Sequence, residues 1–409
     1  MSKNIQNPSA YYEINLPNAH VISDDAEAIA VAHGVAAQLL VDDVSRDRAR
    51  EVPAAVVDLF SNSGLWGITV PKEFGGAEVS HATLSQVISI ISAADPSLGQ
   101  IPQNHYCLLE DIRLQGTQDQ KRYFFDLVLQ GHRFANALSE TGGKNVQDIQ
   151  TRLRRDGQDV VINGRKGYCT GSLYAHWLGV LALDEQGRGH LAFAPRETAG
   201  LVVVDDWDSI GQRTTSSGTV LAQDLRIPEF NVFPSYRSYE SPTLAGPFAQ
   251  ITTAAIDAGI AHAALRDAIA FVREHARPWI DSGVERASDD PLTIIQIGDL
   301  GIRLDAADAL LEKAGHVLDS VRAAPDEEGV ARASIAVAKA KVLTTEVAIA
   351  ATNKLFELGG TRSTLKKFGF DRHWRNARVH TLHDPVRWKY HIVGNWLLNA
   401  VPPPRHDWS

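Results

Sequence analysis

The order of helical and strand patterns along the chain limits the folds open to it most strongly. Apolar residues recur at helical spacing from Asp24 to Gln130, and again over longer stretches from Ala249 to Asn399. Between them, Thr151 to Ile227 carries short β-branched segments separated by turns. This order predicts a mainly α-helical protein with a small antiparallel sheet or barrel in the middle of the chain.

Helix boundaries are predicted from apolar spacing and from capping residues. Asp290 before Pro291 predicts a helix start, because proline lacks the amide hydrogen that a first helical position leaves unpaired. Three long helices and a shorter last one predict a four-helix bundle in the C-terminal part. The predicted helices cover Asp24 to Arg50, Pro53 to Ser63, Ala82 to Ala94, Gln118 to Gln130, Ala249 to His275, Leu292 to Arg322, Gly329 to Leu358 and Val386 to Asn399.

The central part contains the strand signals. Val160 to Ile162 leads into Asn163 and Gly164, a pair that predicts a hairpin turn because both residues tolerate positive φ. We expect three regions: an N-terminal helical domain over 1–135, a central β domain over 136–240 and a C-terminal helical bundle over 241–409. Further strands are predicted over Trp177 to Leu183, Leu191 to Ala194, Leu201 to Val204 and Thr219 to Ile227.

Charge and cysteine content exclude several classes of protein. The formal net charge is −9, which disfavours binding to nucleic acid or to an anionic membrane. Cys107 and Cys169 are the only cysteines, too few for a disulfide framework or a four-thiolate zinc site. Residues 1–20 lack a basic region followed by an apolar core, and no eighteen apolar residues run uninterrupted. We therefore expect a cytoplasmic protein.

A run near the C-terminus is the strongest functional signal in the residues themselves. Asp371 to Tyr390 contains three His, four Arg, one Lys and two Trp. Such a composition is poor material for an apolar core, and it can form either a solvated face or the lining of a pocket. His, Arg and Trp together favour the pocket.

Several motifs, in order along nearly the whole chain, resemble those of the acyl-CoA dehydrogenase family. The resemblance implies that family's fold: an N-terminal helical domain, a central β domain and a C-terminal four-helix bundle that together bind a flavin. The motifs are TVPKEFGGAEVS (69–80), ISAADPSLG (91–99), ALSETGGKN (137–145), NGRKGYCTG (163–171), IGQRTTSSG (210–218), LRIP (225–228) and FELGG (356–360).

The segment LHDPV departs from the dehydrogenases, which have a glutamate base there. Asp384 stands in its place, and Pro385 predicts that Asp384 caps the last helix, an arrangement that lowers carboxylate basicity. WRNARVHTLHDPV, ARPW (276–279) and DDWDSIGQR (205–213) resemble a different branch, the flavin-dependent monooxygenases around dibenzothiophene monooxygenase and the SfnB-like sulfur-acquisition oxidoreductases. That branch uses reduced FMN from a separate reductase, and dioxygen, to oxidise organosulfur compounds.

The resemblance implies catalytic roles for His380, His383, Asn136 and Thr170. The two histidines are three residues apart, so on a helical turn they share a face; the alternative is a pair of helix-end histidines that bind carbonyls. Asn136 and Thr170 are expected to hydrogen bond the flavin or its activated oxygen, although Asn136 could cap a turn and Thr170 could be a plain strand residue. Trp207 is expected to pack on the flavin ring, and otherwise in the core.

Flavin phosphate and substrate contacts are implied in the same way. Arg277 and Arg362 offer guanidinium groups to a phosphate, and Gly359–Gly360 form the turn that approaches the flavin. The hydroxyls of Thr215, Ser216 and Ser217 are further donors. The substrate pocket is expected to include His105, which could instead be structural. It is also expected to include Tyr168, which on a strand would share a face with Thr170.

These observations predict a cytoplasmic two-component monooxygenase that oxidises a small organosulfur compound with FMN or, as an alternative, FAD. The expected partners are dioxygen and a flavin reductase, in a homodimer or homotetramer. An FAD-dependent acyl-CoA dehydrogenase with Asp384 as base is the first alternative, and a flavin-binding scaffold without turnover is the second. His380, His383 and Asp384 also match the ligand types of a non-haem iron site, but adjacent side chains diverge, so no metal is predicted.

Overall fold

The computed structural model describes residues 18–408, so most of the N-terminal segment considered for an export signal lies outside it. Six helices precede the first strand. Asp24 caps the first, accepting from the Glu27 amide at 2.9 Å, and Asp95 caps the fifth, which has Pro96 at its first position. The helices are α1 (Asp25–Leu39), α2 (Asp43–Ala49), α3 (Ala54–Asn62), α4 (His81–Ala94), α5 (Pro96–Gln115) and α6 (Gln118–Leu129).

The prediction of one helix from Asp24 to Arg50 is wrong, because the chain turns between α1 and α2. The buried guanidinium of Arg46 explains the break. It donates to the carbonyl of Leu39, the last residue of α1, at 2.5 Å and so satisfies an acceptor that the end of the helix leaves open. It also pairs with Asp95 at 3.0 Å. A continuous helix would give up this arrangement.

Eight strands form one sheet in the order β6-β7-β3-β2-β4-β5-β8, with β1 paired to β4. The sheet is mixed rather than purely antiparallel, because β1 runs parallel to β4. The strands are β1 (Phe134–Ala137), β2 (Arg152–Asp156), β3 (Asp159–Lys166), β4 (Trp177–Leu183), β5 (Gly189–Pro195), β6 (Leu201–Val204), β7 (Thr219–Pro228) and β8 (Val232–Phe233).

The hairpin predicted at Asn163 and Gly164 is also wrong, since both residues lie inside β3 at a register shift. Asn163 bonds Asp224 of β7 through its side chain, with Nδ2 3.0 Å from Oδ1. A Cβ on Gly164 would lie 2.1 Å from Thr151 Oγ1, so the glycine permits close approach to Thr151 rather than a turn. The chain reverses instead at Gly157, where φ is +67°.

Five helices follow the sheet, and the Asp290 cap is confirmed by its bond from the Leu292 amide. The largest apolar core joins helices from both ends of the chain, with Leu84 and Ile88 of α4 packed together with Ile251 of α7. The architecture is therefore mainly α-helical with an inserted β region, as predicted. The helices are α7 (Ala245–Glu274), α8 (Pro291–Val321), α9 (Glu327–Gly359), α10 (Asp371–His380) and α11 (Arg387–Asn399).

No single helix within 18–408 is both long enough and apolar enough to cross a membrane. Helices α1 and α2 reach that length and apolar character only when taken together, and they are bent by 64° relative to each other.

Candidate active site

His380 lies at the end of α10 and is held by a buried carboxylate. Its Nδ1 is 2.6 Å from Oδ1 of Asp257 on α7, and both side chains are almost inaccessible to solvent. Asp257 also accepts from Thr345 Oγ1 of α9 at 2.8 Å. A carboxylate acceptor places the proton of the imidazole on Nδ1 and fixes the ring plane.

His383 lies against His380, with ring centroids 4.8 Å apart. Its Nδ1 donates to the His380 carbonyl at 2.7 Å, and its Nε2 is 3.0 Å from the Gln100 amide nitrogen on α5. The side chain is open to solvent but crowded by protein on several sides. Desolvation by these surroundings, together with His380 and Lys341, lowers the pKa of His383 to about 4.

A row of amide side chains leads from His383 to Asn136. Asn104, one turn after Gln100 on α5, donates to the Gln100 carbonyl at 3.3 Å and accepts from Asn136 Nδ2 at 2.8 Å. The structure thus connects Asn136 of β1 to the histidines through two residues that the sequence analysis missed. Within residues 18–408, Oε1 of Gln100 and Oδ1 of Asn136 are buried without a hydrogen-bond partner.

Thr170 belongs to a chain of hydroxyl groups. Its Oγ1 is 2.8 Å from Ser217 Oγ, which is 2.7 Å from Thr215 Oγ1. Ser216, at φ +50°, instead accepts from the Leu173 amide at 3.2 Å. No hydrogen bond or ion pair between described residues links these hydroxyls to Arg277 or Arg362.

Tyr168 and Thr170 do not share the face of a strand, and that prediction is wrong. β3 ends at Lys166, and Tyr168 lies in the following loop at φ +56°. The Tyr168 side chain is 59% exposed, and its ring meets that of Trp207 edge to face at 6.2 Å. Tyr168 is therefore available to a ligand, but through a loop rather than through strand alternation.

The segment 205–217 docks on α10, the helix that carries His380. Trp207 Nε1 donates to the Gln212 carbonyl at 2.8 Å, and the Gln212 amide donates to Asn376 Oδ1 of α10 at 2.7 Å. A Cβ on Gly211 would lie 2.0 Å from the Arg375 carbonyl oxygen, so only glycine allows this approach. The Gln212 side chain is buried, and neither of its polar atoms has a partner within 18–408.

Asp384 does not cap the last helix, which corrects the sequence prediction. α11 begins only at Arg387, without a side-chain cap. The Asp384 carboxylate instead pairs with Lys341 of α9 at 2.5 Å and with Lys389 of α11 at 3.4 Å, and all three groups are buried. Burial opposes its charge, but the two lysines outweigh burial and hold the pKa of Asp384 below its usual range.

His105 is a structural residue in this fold, so its expected place in the substrate pocket is not supported. The ring is fully buried, with Nε2 2.9 Å from the Trp66 carbonyl and Nδ1 accepting from the Phe134 amide at 3.1 Å. Desolvation lowers its pKa to about 3. Both ring nitrogens are therefore used in hydrogen bonds that join α5 to Trp66 and to Phe134 of β1.

Arg277 and Arg362 lie together but far from the histidines. Arg277 follows α7 by a few residues and is exposed, and Arg362 donates to the His275 carbonyl at 3.4 Å. Asp257 and His275 lie at the middle and end of α7, about 27 Å apart at 1.5 Å per residue. The arginine pair and the histidines therefore lie at different parts of α7 within one chain.

Gly359 and Gly360 end α9 beside these arginines. Gly360 has φ +61° and ψ −168°, a conformation nearly restricted to glycine. A Cβ on Gly359 would lie 2.7 Å from Ser363 Cβ, so the tight turn needs both glycines. The turn is present as predicted, at the arginine end of α7.

The unpaired buried groups fit a flavin ring. Gln100 and Asn136 each leave a carbonyl oxygen without a donor, and Gln212 leaves both a donor and an acceptor. A reduced isoalloxazine offers N–H donors and carbonyl acceptors on its edges, and buried polar groups normally find such partners. The residues present therefore fit a flavin. By contrast, no group of three potential metal ligands occurs among the described residues.

A cavity of about 370 Å³ lies elsewhere, between the starts of α7 and α9 and the C-terminal segment. Ser334, Tyr239 and His406 are among its lining residues. None of the predicted site residues lines it, so we do not assign the oxygenation site to this cavity.

The chain has helices, then a sheet, then helices, and its polar site lies between α5, α10 and the 205–217 segment. This arrangement defines a flavoprotein with the acyl-CoA dehydrogenase fold. The chain belongs to the acyl-CoA dehydrogenase family. Family models for the N-terminal, middle and C-terminal domains match residues 26–132, 135–225 and 251–388.

Several of its relatives are named as monooxygenases. Dibenzothiophene monooxygenase of Rhodococcus erythropolis is 33% identical over 93% of this chain and 95% of the relative. A probable FMNH2-dependent monooxygenase, SfnC of Pseudomonas putida, is 31% identical over 94% of this chain and 98% of the relative. FMN-bound TdsC of Paenibacillus sp. A11-2 has a TM-score of 0.89 at 32% identity, covering 93% of this chain and 100% of that one. Methanesulfinate monooxygenase MsuC of Pseudomonas fluorescens has a TM-score of 0.86 at 28% identity, covering 93% of this chain and 99% of that one.

Proposed function

We propose that this protein is a cytoplasmic, two-component flavin-dependent monooxygenase that oxidises a small organosulfur compound during sulfur acquisition. The observation that carries the proposal is the environment of Asp384. The carboxylate in the position of the dehydrogenase base is bound by Lys341 and Lys389, while a histidine pair occupies the preceding turn. The relatives named above support the same reaction and the same cofactor, FMN.

When bound, reduced FMN would supply two electrons and two protons, so that one atom of dioxygen reaches sulfur and the other leaves as water. The chain must hold protons near that oxygen and keep bulk water away. His380 holds a proton at Nδ1 against Asp257, and the Thr170 hydroxyl lies in a chain with Ser217. The amide oxygen of Asn136 is free to accept from the flavin ring.

We propose a homodimer or homotetramer in which a second copy supplies the phosphate contacts. The arginine pair lies about 27 Å along α7 from the histidines, too far to serve the same flavin within one chain. Leu292, Ile295 and Ile302 also form an exposed apolar stripe on α8, each more than 60% exposed. Such a stripe is typical of a surface that is covered in an assembly.

A separate flavin reductase is the proposed source of reduced FMN. The formal net charge of −9 disfavours nucleic acid as a partner.

Product analysis tests the proposed function. Protein mixed with reduced FMN and dioxygen should convert methanesulfinate or dibenzothiophene to a product that has gained oxygen from dioxygen, as detected with the ¹⁸O isotope. Anaerobic mixing of the FAD- or FMN-loaded protein with acyl-CoA thioesters should leave the flavin oxidised. Flavin bleaching by an acyl-CoA, without oxygen transfer to either sulfur compound, would contradict the proposal.

A further inference from the structure

Basic side chains gather on the surface where α7 ends. Arg273 lies in the last turn of α7, Arg277 lies three residues beyond the helix, and both are exposed. The loop between α9 and α10 packs on this end of α7. Its Arg362 donates to the His275 carbonyl at 3.4 Å, and the centroid of its Phe368 ring lies 5.6 Å from that of His275. The end of α7 and the loop therefore form one continuous surface.

Three further cations extend this surface. Lys366 and Lys367 lie in the same loop, and the Lys367 ammonium is 4.9 Å from the centre of the Phe368 ring. Arg48 of α2 donates to the Lys366 carbonyl, which joins α2 to the loop. All three basic side chains are exposed. We call the six residues the basic patch: Arg48, Arg273, Arg277, Arg362, Lys366 and Lys367.

The cations of the basic patch are not neutralised by their neighbours. Within residues 18–408, none of the six forms an ion pair. Asp47 of α2 pairs with Arg375 of α10 at 2.5 Å, and Asp371 pairs with the same guanidinium at 2.8 Å. On α7, Glu274 lies 3.8 Å from the imidazole of His275. The patch therefore keeps a local excess of positive charge.

The sign of the basic patch is opposite to that of the chain, whose formal net charge is −9. A protein of that charge repels an anion over most of its surface. At physiological ionic strength charges act over only about 8 Å, so a local cluster decides where an anion can approach. Exposed clusters of one sign raise the association rate of an oppositely charged ligand by about 10- to 1,000-fold. The patch is therefore suited to capturing an anion from solution.

The position of the basic patch indicates which anion it fits. Two of its members, Arg277 and Arg362, are the proposed contacts for the flavin phosphate, and the other four lie beside them. A flavin that stays bound gains little from fast association. Reduced FMN delivered by a separate reductase must instead be captured before dioxygen oxidises it in solution, so fast association raises the yield of product.

We propose that the basic patch captures free FMN by its phosphate. Arg277 and Arg362 hold the phosphate once it is bound, whereas the other four cations attract it during its approach. This division rests on the proposed monooxygenase function. Because the outer cations act at a distance, they set the rate of association and have little effect on dissociation. The four are Arg48, Arg273, Lys366 and Lys367.

Stopped-flow mixing of the flavin-free protein with oxidised FMN tests the proposal, with FMN fluorescence as the signal. In about 0.01 M salt, where charges act over about 30 Å, Lys366→Glu/Lys367→Glu should lower the association rate constant on the order of tenfold. The dissociation rate constant should change by less than about twofold. In about 1 M salt charges act over about 3 Å, and the difference in association should disappear.

Two controls isolate the effect of charge at this place. Lys313→Glu/Lys339→Glu changes the net charge equally at exposed positions of α8 and α9, and should lower the association rate constant by less than about twofold. Riboflavin lacks the phosphate and should associate equally fast with the wild-type protein and with Lys366→Glu/Lys367→Glu. Riboflavin slowed as much as FMN would assign the loss to altered structure and overturn the proposal.

The outcomes separate this proposal from the proposed function. Unchanged FMN association in Lys366→Glu/Lys367→Glu at low salt, an effect confined to dissociation, or no FMN binding by the wild-type protein would overturn the role of the basic patch. If the patch variant fails in this way while the wild-type protein oxygenates a sulfur compound, the monooxygenase function stands. If FMN is captured as described and neither methanesulfinate nor dibenzothiophene is oxygenated, capture stands and the monooxygenase function loses support.

Discussion

At the scale of single residues, Asp384 is surrounded by two buried ammonium groups. Asp384→Ala would leave Lys341 and Lys389 without a counter-charge, and breaking a buried pair in this way costs about 3–5 kcal/mol. Denaturant unfolding of the two proteins measures the loss. The control is Asp371→Ala: the Asp371 carboxylate is exposed, and its pair with the partly buried Arg375 should contribute less than about 1 kcal/mol. Equal losses in the two variants would contradict the buried cluster.

Lys389 gives the cluster a pH dependence of known sign. Burial, with help from Lys341, lowers the pKa of Lys389 from 10.5 to about 8. Between these values the unfolded chain binds the proton that the folded chain has lost, so stability from this group rises with pH. Between pH 8 and 10.5 the free energy of unfolding of the wild-type protein should rise by roughly 3 kcal/mol relative to that of Lys389→Met. Unfolding measurements at both ends of that range check this prediction. Lys339→Met, at an exposed position of α9, is the control and should show no such gain.

Arg277 should contribute to flavin affinity rather than to folding, because its side chain is exposed and unpaired within the described part of the chain. Arg277→Ala should weaken FMN binding by about 1.5–3 kcal/mol through loss of a charge-assisted phosphate bond. Fluorescence titration with FMN and FAD measures both affinities. Arg303→Ala on the surface of α8 is the control; equal affinities for the wild type and Arg277→Ala would remove Arg277 from the site.

At the scale of elements, the contact between the 205–217 segment and α10 depends on one glycine. Gly211→Ala would bring a methyl group against the Arg375 carbonyl, and the segment would have to withdraw from α10. We expect weaker FMN binding and lower stability, since Trp207 and Gln212 move with it. Calorimetric titration and thermal unfolding measure the two effects. Gly34→Ala, in helical conformation with open space around it, should leave FMN affinity unchanged.

The long helices could be predicted from sequence because local signals decide them. α7, α8 and α9 show sustained apolar spacing, and Asp290 with Pro291 marks a helix start that needs no tertiary contact. Helix α5 was missed because Pro102 and a polar run interrupt its pattern. The break between α1 and α2 depends on the distant Asp95, which local spacing cannot reveal.

The site was predictable only where a motif carried it. His380 and His383 were found through their segment, while Gln100 and Asn104 reach them only by tertiary packing of α5. Asp257 did leave a signal, as a single charged residue within an otherwise uncharged stretch of α7. The Asp384 cap failed as a prediction because Lys341, distant along the chain, and Lys389, five residues away, outcompete backbone amides for the Asp384 carboxylate.

At the scale of the whole molecule, the apolar stripe of Leu292, Ile295 and Ile302 should join copies of the chain. Ile295→Asp would place a charge in that interface and should shift the protein to monomers, as measured by sedimentation. The same variant should bind FMN more weakly if the arginine pair comes from another copy. Val41→Asp is the control, since Val41 is 78% exposed outside the stripe and should change neither property. Monomers that keep full FMN affinity would place the whole site in one chain.

The length of α7 then has a kinetic consequence. If the arginine pair and Asp257, which lie at separate points along this helix, serve flavins in different copies as proposed, a single chain does not form a complete site. Specific activity should therefore fall on dilution, with a midpoint set by the dissociation constant of the assembly, and recover on concentration. A cell could regulate such an enzyme through its abundance alone, because halving the amount of protein would remove more than half of the turnover.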